Sequence, residues 1–119
     1  MEIKLGNKKE KKLKKYRIFW TKSAKGDLGA IVDYIAKNLV EIAIKKYEEI
    51  KEKARKLDLF PEKGRIIPEL LRNNITKYRE LIITPWRLMY KIENKNVYIM
   101  AIIDGRRNIE DILLQRQLR

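Results

Sequence analysis

Between Tyr78 and Arg107 the sequence reads YRELIIT, WRLMYKIE and NVYIMAIIDGRR. In the middle stretch Trp86, Leu88, Tyr90 and Ile92 alternate with Arg87, Met89, Lys91 and Glu93. A period of two is what a β-strand with one buried face requires, and a helix cannot use it. The third stretch has an apolar row on each side: Val97, Ile99, Ala101 and Ile103 on one, Tyr98, Met100 and Ile102 on the other, ending at Asp104. Such a strand wants cover on both faces. With Asn94 and Lys95 as a two-residue turn, Ile92 faces Val97, Tyr90 faces Ile99, Leu88 faces Ala101 and Trp86 faces Ile103. The opposite face then sets Arg87 beside Ile102 and Met89 beside Met100, half apolar and half cationic. That face suits a partner better than bulk water.

The remainder of the chain feeds or covers this meander. YRIFW, residues 16–20, is aromatic and β-branched and predicts a first strand. Thr21 or Ser23 then caps a helix reaching about Asn38, with Ala24, Leu28, Ile31, Val32, Ile35 and Leu39 on one stripe and Asp27 in the first turn. A second helix, from about Glu41 to Leu59, carries the seam Ala43, Tyr47, Ile50, Ala54 and Leu57. The short link between them predicts an antiparallel helix hairpin. Phe60-Pro61 ends the second helix, and GRIIPELLRNN reads as an extended or looped segment. After the strands, Asn108 caps a short amphipathic helix with Ile109, Ile112 and Leu113 inward. The fold class is α+β: an N-terminal strand, a helix hairpin, a three-stranded antiparallel meander completing one sheet, and a C-terminal helix.

A chain of 119 residues builds one core without metal or disulfide help. Residues 1–15 hold seven lysines against two glutamates and almost nothing apolar, so they read as a basic arm, and 16–119 as a single domain. No apolar run nears the roughly 20 residues of a membrane span, and the lysine-rich start is not followed by an apolar signal segment. The absence of Cys agrees with a reducing compartment. A cytoplasmic protein with no membrane partner is the expectation. Net charge is +13. A Lys- and Glu-rich composition is also what a thermophile's solvated surface shows, but the excess of positive charge favours polyanionic or acidic partners.

With no His and no Cys there is no histidine base, no cysteine nucleophile and no zinc site, and five scattered Gly residues match no phosphate-binding loop. No cofactor is expected. Arginine remains: Arg79, Arg87, Arg106 and Arg107, with Lys77 nearby, lie on or just after the three strands. Guanidinium groups grip phosphate bidentately, so this cluster is the candidate site for nucleic acid or another target. For DGRR alone the plainer reading leads, in which Arg106 and Arg107 flank Asp104 and a helix start.

The order of strand, helix hairpin, GRIIPEL, YREL, WRLMYKI, IIDGRR and short helix resembles the RelE/ParE superfamily of type II toxin-antitoxin toxins, its ParE branch most of all, from about Tyr16 onward. The resemblance implies a plasmid-stabilisation type of toxin that arrests growth until an antitoxin, here expected to be acidic, wraps and neutralises it. Two mechanisms belong to this fold. ParE-type toxins inhibit DNA gyrase, the leading implication, while RelE-type toxins cut mRNA on the ribosome. On the RelE pattern Arg87 matches the arginine of the middle strand and Arg107 the one after the last strand, while Arg79 falls near a basic position on the first strand of the meander. RelE-type enzymes add a tyrosine or histidine near the C-terminal helix, and Ile109 to Leu118 contains neither. Tyr78 or Tyr90 substitutes only if its hydroxyl reaches the open face. The residues also fit a third reading, a plain basic nucleic-acid-binding module.

Two geometric expectations follow. Met89, Met100 and Ile102 form the antitoxin-binding part of the open face. Arg79 shares a face with Arg87 only if the loop around Thr84-Pro85 has an odd number of residues, whereas a two-residue loop sends Arg79 to the helix-covered face. An Arg87 exposed on the open face predicts that its loss changes stability by no more than roughly 1 kcal/mol.

Overall fold

The computed structural model describes residues 15–119, so the basic arm expected at 1–15 lies outside the described residues except for Lys15. In chain order the elements are β1 (Arg17–Trp20), α1 (Lys22–Ala36), α2 (Val40–Arg55), β2 (Arg65–Ile66), α3 (Pro68–Leu71), β3 (Tyr78–Ile83), β4 (Trp86–Glu93), β5 (Asn96–Asp104) and α4 (Ile109–Gln115). Two short 3-10 turns, Lys56–Asp58 and Pro61–Lys63, separate α2 from β2. The strands form one sheet in the order β1-β5-β4-β3-β2, with β1 parallel to β5 and the other neighbours antiparallel. No helix among the described residues is long and apolar enough to cross a membrane.

Thr21 fixes where the first helix leaves the sheet. Its Oγ1 accepts from the Ala24 N–H at 3.2 Å, capping α1, while its hydroxyl donates to the Ile99 carbonyl of β5 at 2.8 Å. The expected stripes then meet the sheet: Ala24 and Leu28 of α1, Ile50 and Ala54 of α2 and Leu57 after it pack on Ile83, Leu88, Tyr90, Val97, Ile99 and Ile102. Tyr47 departs from its seam. It sits at the rim with the Lys51 ammonium 6.0 Å from its ring. Asp27 also lies one turn later than expected, because α1 starts at Lys22; instead of facing the helix dipole it accepts from the Ile102 N–H (3.0 Å) and from both terminal nitrogens of Arg116 (2.6 and 3.1 Å).

The β4–β5 register follows expectation at Ile92–Val97 and Tyr90–Ile99, then changes. A bulge leaves Met100 without a direct partner, and beyond it Met89 pairs with Ala101, Leu88 with Ile102, Arg87 with Ile103 and Trp86 with Asp104. The expected Leu88–Ala101 and Trp86–Ile103 pairs are therefore replaced. One extra residue moves Ile102 to the helix-hairpin face and turns Ala101 and Ile103 to the other, so that both apolar rows of β5 find cover.

The second face is not open. The segment GRIIPELLRNN is extended at β2, as expected, and then forms the short helix α3, with Pro68 at its first position, where a loop was the alternative. Leu70 of α3 and Ile109, Ile112 and Leu113 of α4 close over Tyr78, Met89, Ala101 and Ile103 with Ile67 and Leu118. Met89 is fully buried there, Ile102 is buried on the opposite face, and only Met100 remains half-exposed. The three residues expected to share an antitoxin-binding surface thus do not share one, because the bulge and the cover of α3 and α4 separate them.

Candidate functional site

The loop between β3 and β4 is two residues long: Ile83 pairs with Trp86, leaving Thr84 and Pro85. Register then fixes the arginines. Arg79 pairs with Tyr90 and Ile82 with Arg87, so Arg79 and Arg87 lie on opposite faces of the sheet. The joint patch of Arg79, Arg87 and Arg107 does not form. Arg79 instead donates through Nη1 to the carbonyls of Gly64 (2.7 Å) and Glu62 (3.4 Å), bracing the loop that follows α2. In the same loop the Tyr90 hydroxyl accepts from the Gly64 N–H (2.9 Å) and donates to the Pro61 carbonyl (2.6 Å). Burial raises the Tyr90 pKa, and both hydrogen-bonding roles of its hydroxyl are occupied, so it supplies no acid or base to the other face.

Arg87 sits at the centre of an ion network. Its Nε and Nη2 donate to the two oxygens of Glu80 (2.7 and 3.1 Å), and its Nη2 and Nη1 to those of Glu69 (2.7 and 3.0 Å). Arg65 Nε completes the set with a 2.7 Å bond to Glu80. Glu80 is 1% exposed and Arg87 8%. The hydrogen bond from Arg87 holds the Glu69 carboxyl below its ordinary range, and Glu69 and Glu80 together push the Arg87 pKa further up. Two arginines and two glutamates cancel. Arg87 is therefore an internal brace, with four of its five N–H donors taken by the two carboxylates and its charge neutralised, and not a free grip for phosphate.

The other sequence candidates are scattered around this brace. Arg106 folds back on Asp104, donating Nε to Oδ1 (3.0 Å) and Nη2 to Oδ2 (2.7 Å) while its backbone N–H also reaches Oδ1 (2.9 Å). The Arg106 side chain holds the Asp104 carboxyl down at about 2. Lys77 stacks its ammonium 5.3 Å from the Tyr78 ring, and Tyr78 itself is buried. Arg107 is exposed and makes no ion pair among the described residues. It lines a shallow depression of about 280 Å³ with Arg72, Arg87, Glu69 and Asn108, in which Arg72 reaches Glu110 at 3.4 Å. This arrangement can contact a partner, but it presents no acid–base pair. No group of three or more Asp or Glu among the described residues is placed to hold a metal ion.

Glu69, Glu80 and Arg65 were absent from the candidate site on sequence grounds, although a signal existed. Each lies inside GRIIPEL or YREL, the stretches that carry the family resemblance. Those stretches converge with WRLMYKI on one cluster: Gly64 against Tyr90, and Arg65, Glu69, Glu80 and Arg87 in the ion network.

Residues 18–109 match the family model described as ParE toxin of type II toxin-antitoxin system, parDE. The chain is 29% identical over 94 residues to Toxin ParE3 of Caulobacter vibrioides, an alignment spanning 78% of this chain and 90% of that toxin. Among solved structures, a chain of the chromosomal ParDE system from P. aeruginosa is similar with a TM-score of 0.62 and 24% identity, over 75% of this chain and 95% of that one. A chain of the toxin-antitoxin complex RelBE2 from Mycobacterium tuberculosis gives 0.56 and 20%, over 78% and 94%. These two structural likenesses are likenesses of fold.

Proposed function

Because the chain belongs to the ParE toxin family of type II toxin-antitoxin systems, we propose that it arrests growth by binding a protein target, with DNA gyrase as that target, and that an acidic cognate antitoxin neutralises it. The observation that carries the choice of binding over RNA cleavage is the state of Arg87. A cleaving site needs a free cation to stabilise the developing phosphorane charge and a group to move the proton. Here four of the five Arg87 N–H donors go to Glu69 and Glu80, Arg79 is on the other face, Tyr90 is tied to the loop at Gly64, and Arg107, unpaired among the described residues, has no histidine and no tyrosine of α4 beside it to move a proton. The net charge of +13 supports an acidic antitoxin as the neutralising partner.

The test sets two activities against each other. Purified protein is added to a gyrase supercoiling reaction and, in parallel, to a cell-free translation reaction in which mRNA ends are mapped. Loss of supercoiling with intact mRNA is the expected result. Cleavage of mRNA on the ribosome with supercoiling unimpaired refutes the reading and restores the endoribonuclease. Tight binding to bare nucleic acid with neither effect identifies the basic nucleic-acid-binding module instead.

A further inference from the structure

β1 forms one edge of the sheet, and no strand lies outside it among the described residues. Arg17 and Thr21 give their N–H groups to the Lys95 and Ile99 carbonyls, at 3.0 and 3.1 Å, so the odd-numbered residues of β1 face β5. Neighbouring residues of a strand turn their backbone groups to opposite sides, and the N–H and C=O of Ile18 and Trp20 therefore point outward. Tyr16 is already satisfied on that outer side, where its N–H donates to the Asp58 carbonyl at 2.8 Å. Natural edge strands are blunted by lysine, proline or an inward-pointing charge. Ile18, Phe19 and Trp20 carry none of these, and Phe19 is 40% exposed.

α2 runs beside this edge and leaves a groove of about 460 Å³. Ile18, Trp20 and Tyr47 form its apolar floor, and Glu48, Lys51, Glu52 and Arg55 form its wall. The core extends into the groove, since Ile18 and Trp20 pack on it while staying only partly buried. The wall holds two acids and two bases, so it selects neither a polyanion nor an acidic peptide. Glu48 and Lys51 make no ion pair among the described residues. Glu52 and Arg55 hold each other at 2.6 Å, an exposed pair that exchanges partners at little cost.

The order of these charges names the occupant. Reversing positions 48, 51, 52 and 55 sets each acid against a base: Glu48 against Arg55, and Lys51 against Glu52. A two-fold axis passing between 51 and 52 performs that reversal, and a two-fold interface must be self-complementary in this way. On a chain of net charge +13, such a strip meets a second, equally basic copy with balanced charge. β1 obeys the same symmetry. An antiparallel copy centred on Phe19 pairs Ile18 with Trp20 of the second copy, and both residues have outward backbone groups. Paired residues share a face, so Ile18 and Trp20 cover one another beside Tyr47, while Phe19 meets its own copy on the opposite face. We propose that two copies of this chain associate through β1 and α2, joining their sheets edge to edge across a two-fold axis at Phe19. The proposal does not depend on the growth-arrest reading above.

Sedimentation velocity of the full chain over a roughly thousandfold concentration range should show a single monomer–dimer equilibrium. Glu48→Arg sets arginine against Arg55 of the second copy, and Arg55→Glu sets glutamate against Glu48. Each contact occurs twice in the dimer, so either variant alone should raise the dissociation constant roughly tenfold or more. Mixed in equal amounts, the two variants regain both contacts in one heterodimer, whose dissociation constant should return to within about threefold of the unaltered chain's. Both positions are exposed, and thermal unfolding of each dilute variant should match that of the unaltered chain. Phe19→Lys, which brings two like charges together on the axis, should leave the chain monomeric throughout. A chain that is monomeric over the whole range overturns the proposal. So does a dimer indifferent to both charge variants, which would use another surface, and so does a mixture as dissociated as its components. If the chain alone is monomeric and Glu48→Arg weakens binding of the adjacent gene's product instead, the edge belongs to that partner and the proposal falls.

Discussion

Replacing Arg87 by Ala is the sharpest perturbation of this fold. An exposed arginine on an open face costs roughly 1 kcal/mol or less to remove. The structure reverses that expectation. Truncating Arg87 withdraws both Nε and Nη2 from Glu80, which is 1% exposed, and both terminal nitrogens from Glu69. Breaking a buried pair from one side costs about 3–5 kcal/mol, because the surviving charge is left uncompensated. Arg65 still holds one Glu80 oxygen, at 2.7 Å from a largely exposed side chain, which places the cost near the lower end, about 3 kcal/mol. Against a typical stability of about 5–15 kcal/mol this is a large fraction. With a urea slope of about 2 kcal/mol/M, the unfolding midpoint falls by about 1.5 M. The control is Arg87→Met with Glu80→Leu, which removes both partners of the more buried pair and should recover most of the loss. A single variant whose midpoint drops by less than about 0.5 M, the shift expected for an exposed site, refutes the reasoning. The same arithmetic means that lost toxicity in Arg87→Ala must be read beside its unfolding curve before any role in a reaction is assigned.

Gly64→Ala forces a Cβ to 2.6 Å from the Glu80 carbonyl and the Tyr90 hydroxyl, and calorimetry should show destabilisation of about 1–3 kcal/mol. Asp104 and Glu69 have folded pKa values below their unfolded ones, so the stability they contribute is present above the unfolded carboxylate range and is lost as pH falls through the folded values. In Arg106→Ala, NMR titration should find the Asp104 pKa rising from about 2 toward its ordinary 3.8, and an unmoved value would dismiss the ion pair. Deleting residues 1–15 should leave thermal unfolding nearly unchanged while weakening polyanion binding and flattening its salt dependence; loss of folding would place the domain start earlier than Tyr16.

Much of the architecture was legible because it rests on side-chain periodicity. The alternation in WRLMYKIE, the stripe from Ala24 to Ile35 and the caps at Thr21 and Asn108 each report a local rule, and each element forms where its rule places it. The site was less legible because it depends on parity. One residue more in the Thr84-Pro85 loop would have carried Arg79 to the face of Arg87, and composition gives no means of counting that residue. Arg87 could be placed on its face, but whether Glu69 and Glu80 would converge on it depends on α3 folding over the sheet. A four-residue helix in a segment punctuated by Pro and Asn leaves no periodic trace.

The bulge at Met100 decides which residues of β5 lie beneath α3 and α4 and which beneath the helix hairpin. Without it, Ile102 would stand beside Arg87 on the face that α4 covers, and Ala101 and Ile103 would lie beneath the helix hairpin. With it, Ile102 enters the core under the helix hairpin and Ile103 meets Arg87 beneath α3 and α4. The bulge also occurs where β5 outruns β1, which ends at Trp20 opposite Ile99. Past that point the outer edge of β5 has lost its neighbouring strand, and the Ile102 N–H is satisfied by Asp27 instead. Asp27 in turn binds Arg116 at the end of α4, so a carboxylate from α1 joins the bulged edge to the helix that closes the opposite face. Asp27→Asn keeps the shape but loses the charge that holds Arg116. Hydrogen exchange should then quicken at Ile112 and Leu113 in α4 more than at Leu28 in α1, and equal protection of α4 in both proteins would mean that its apolar side, not Asp27, is what keeps it in place.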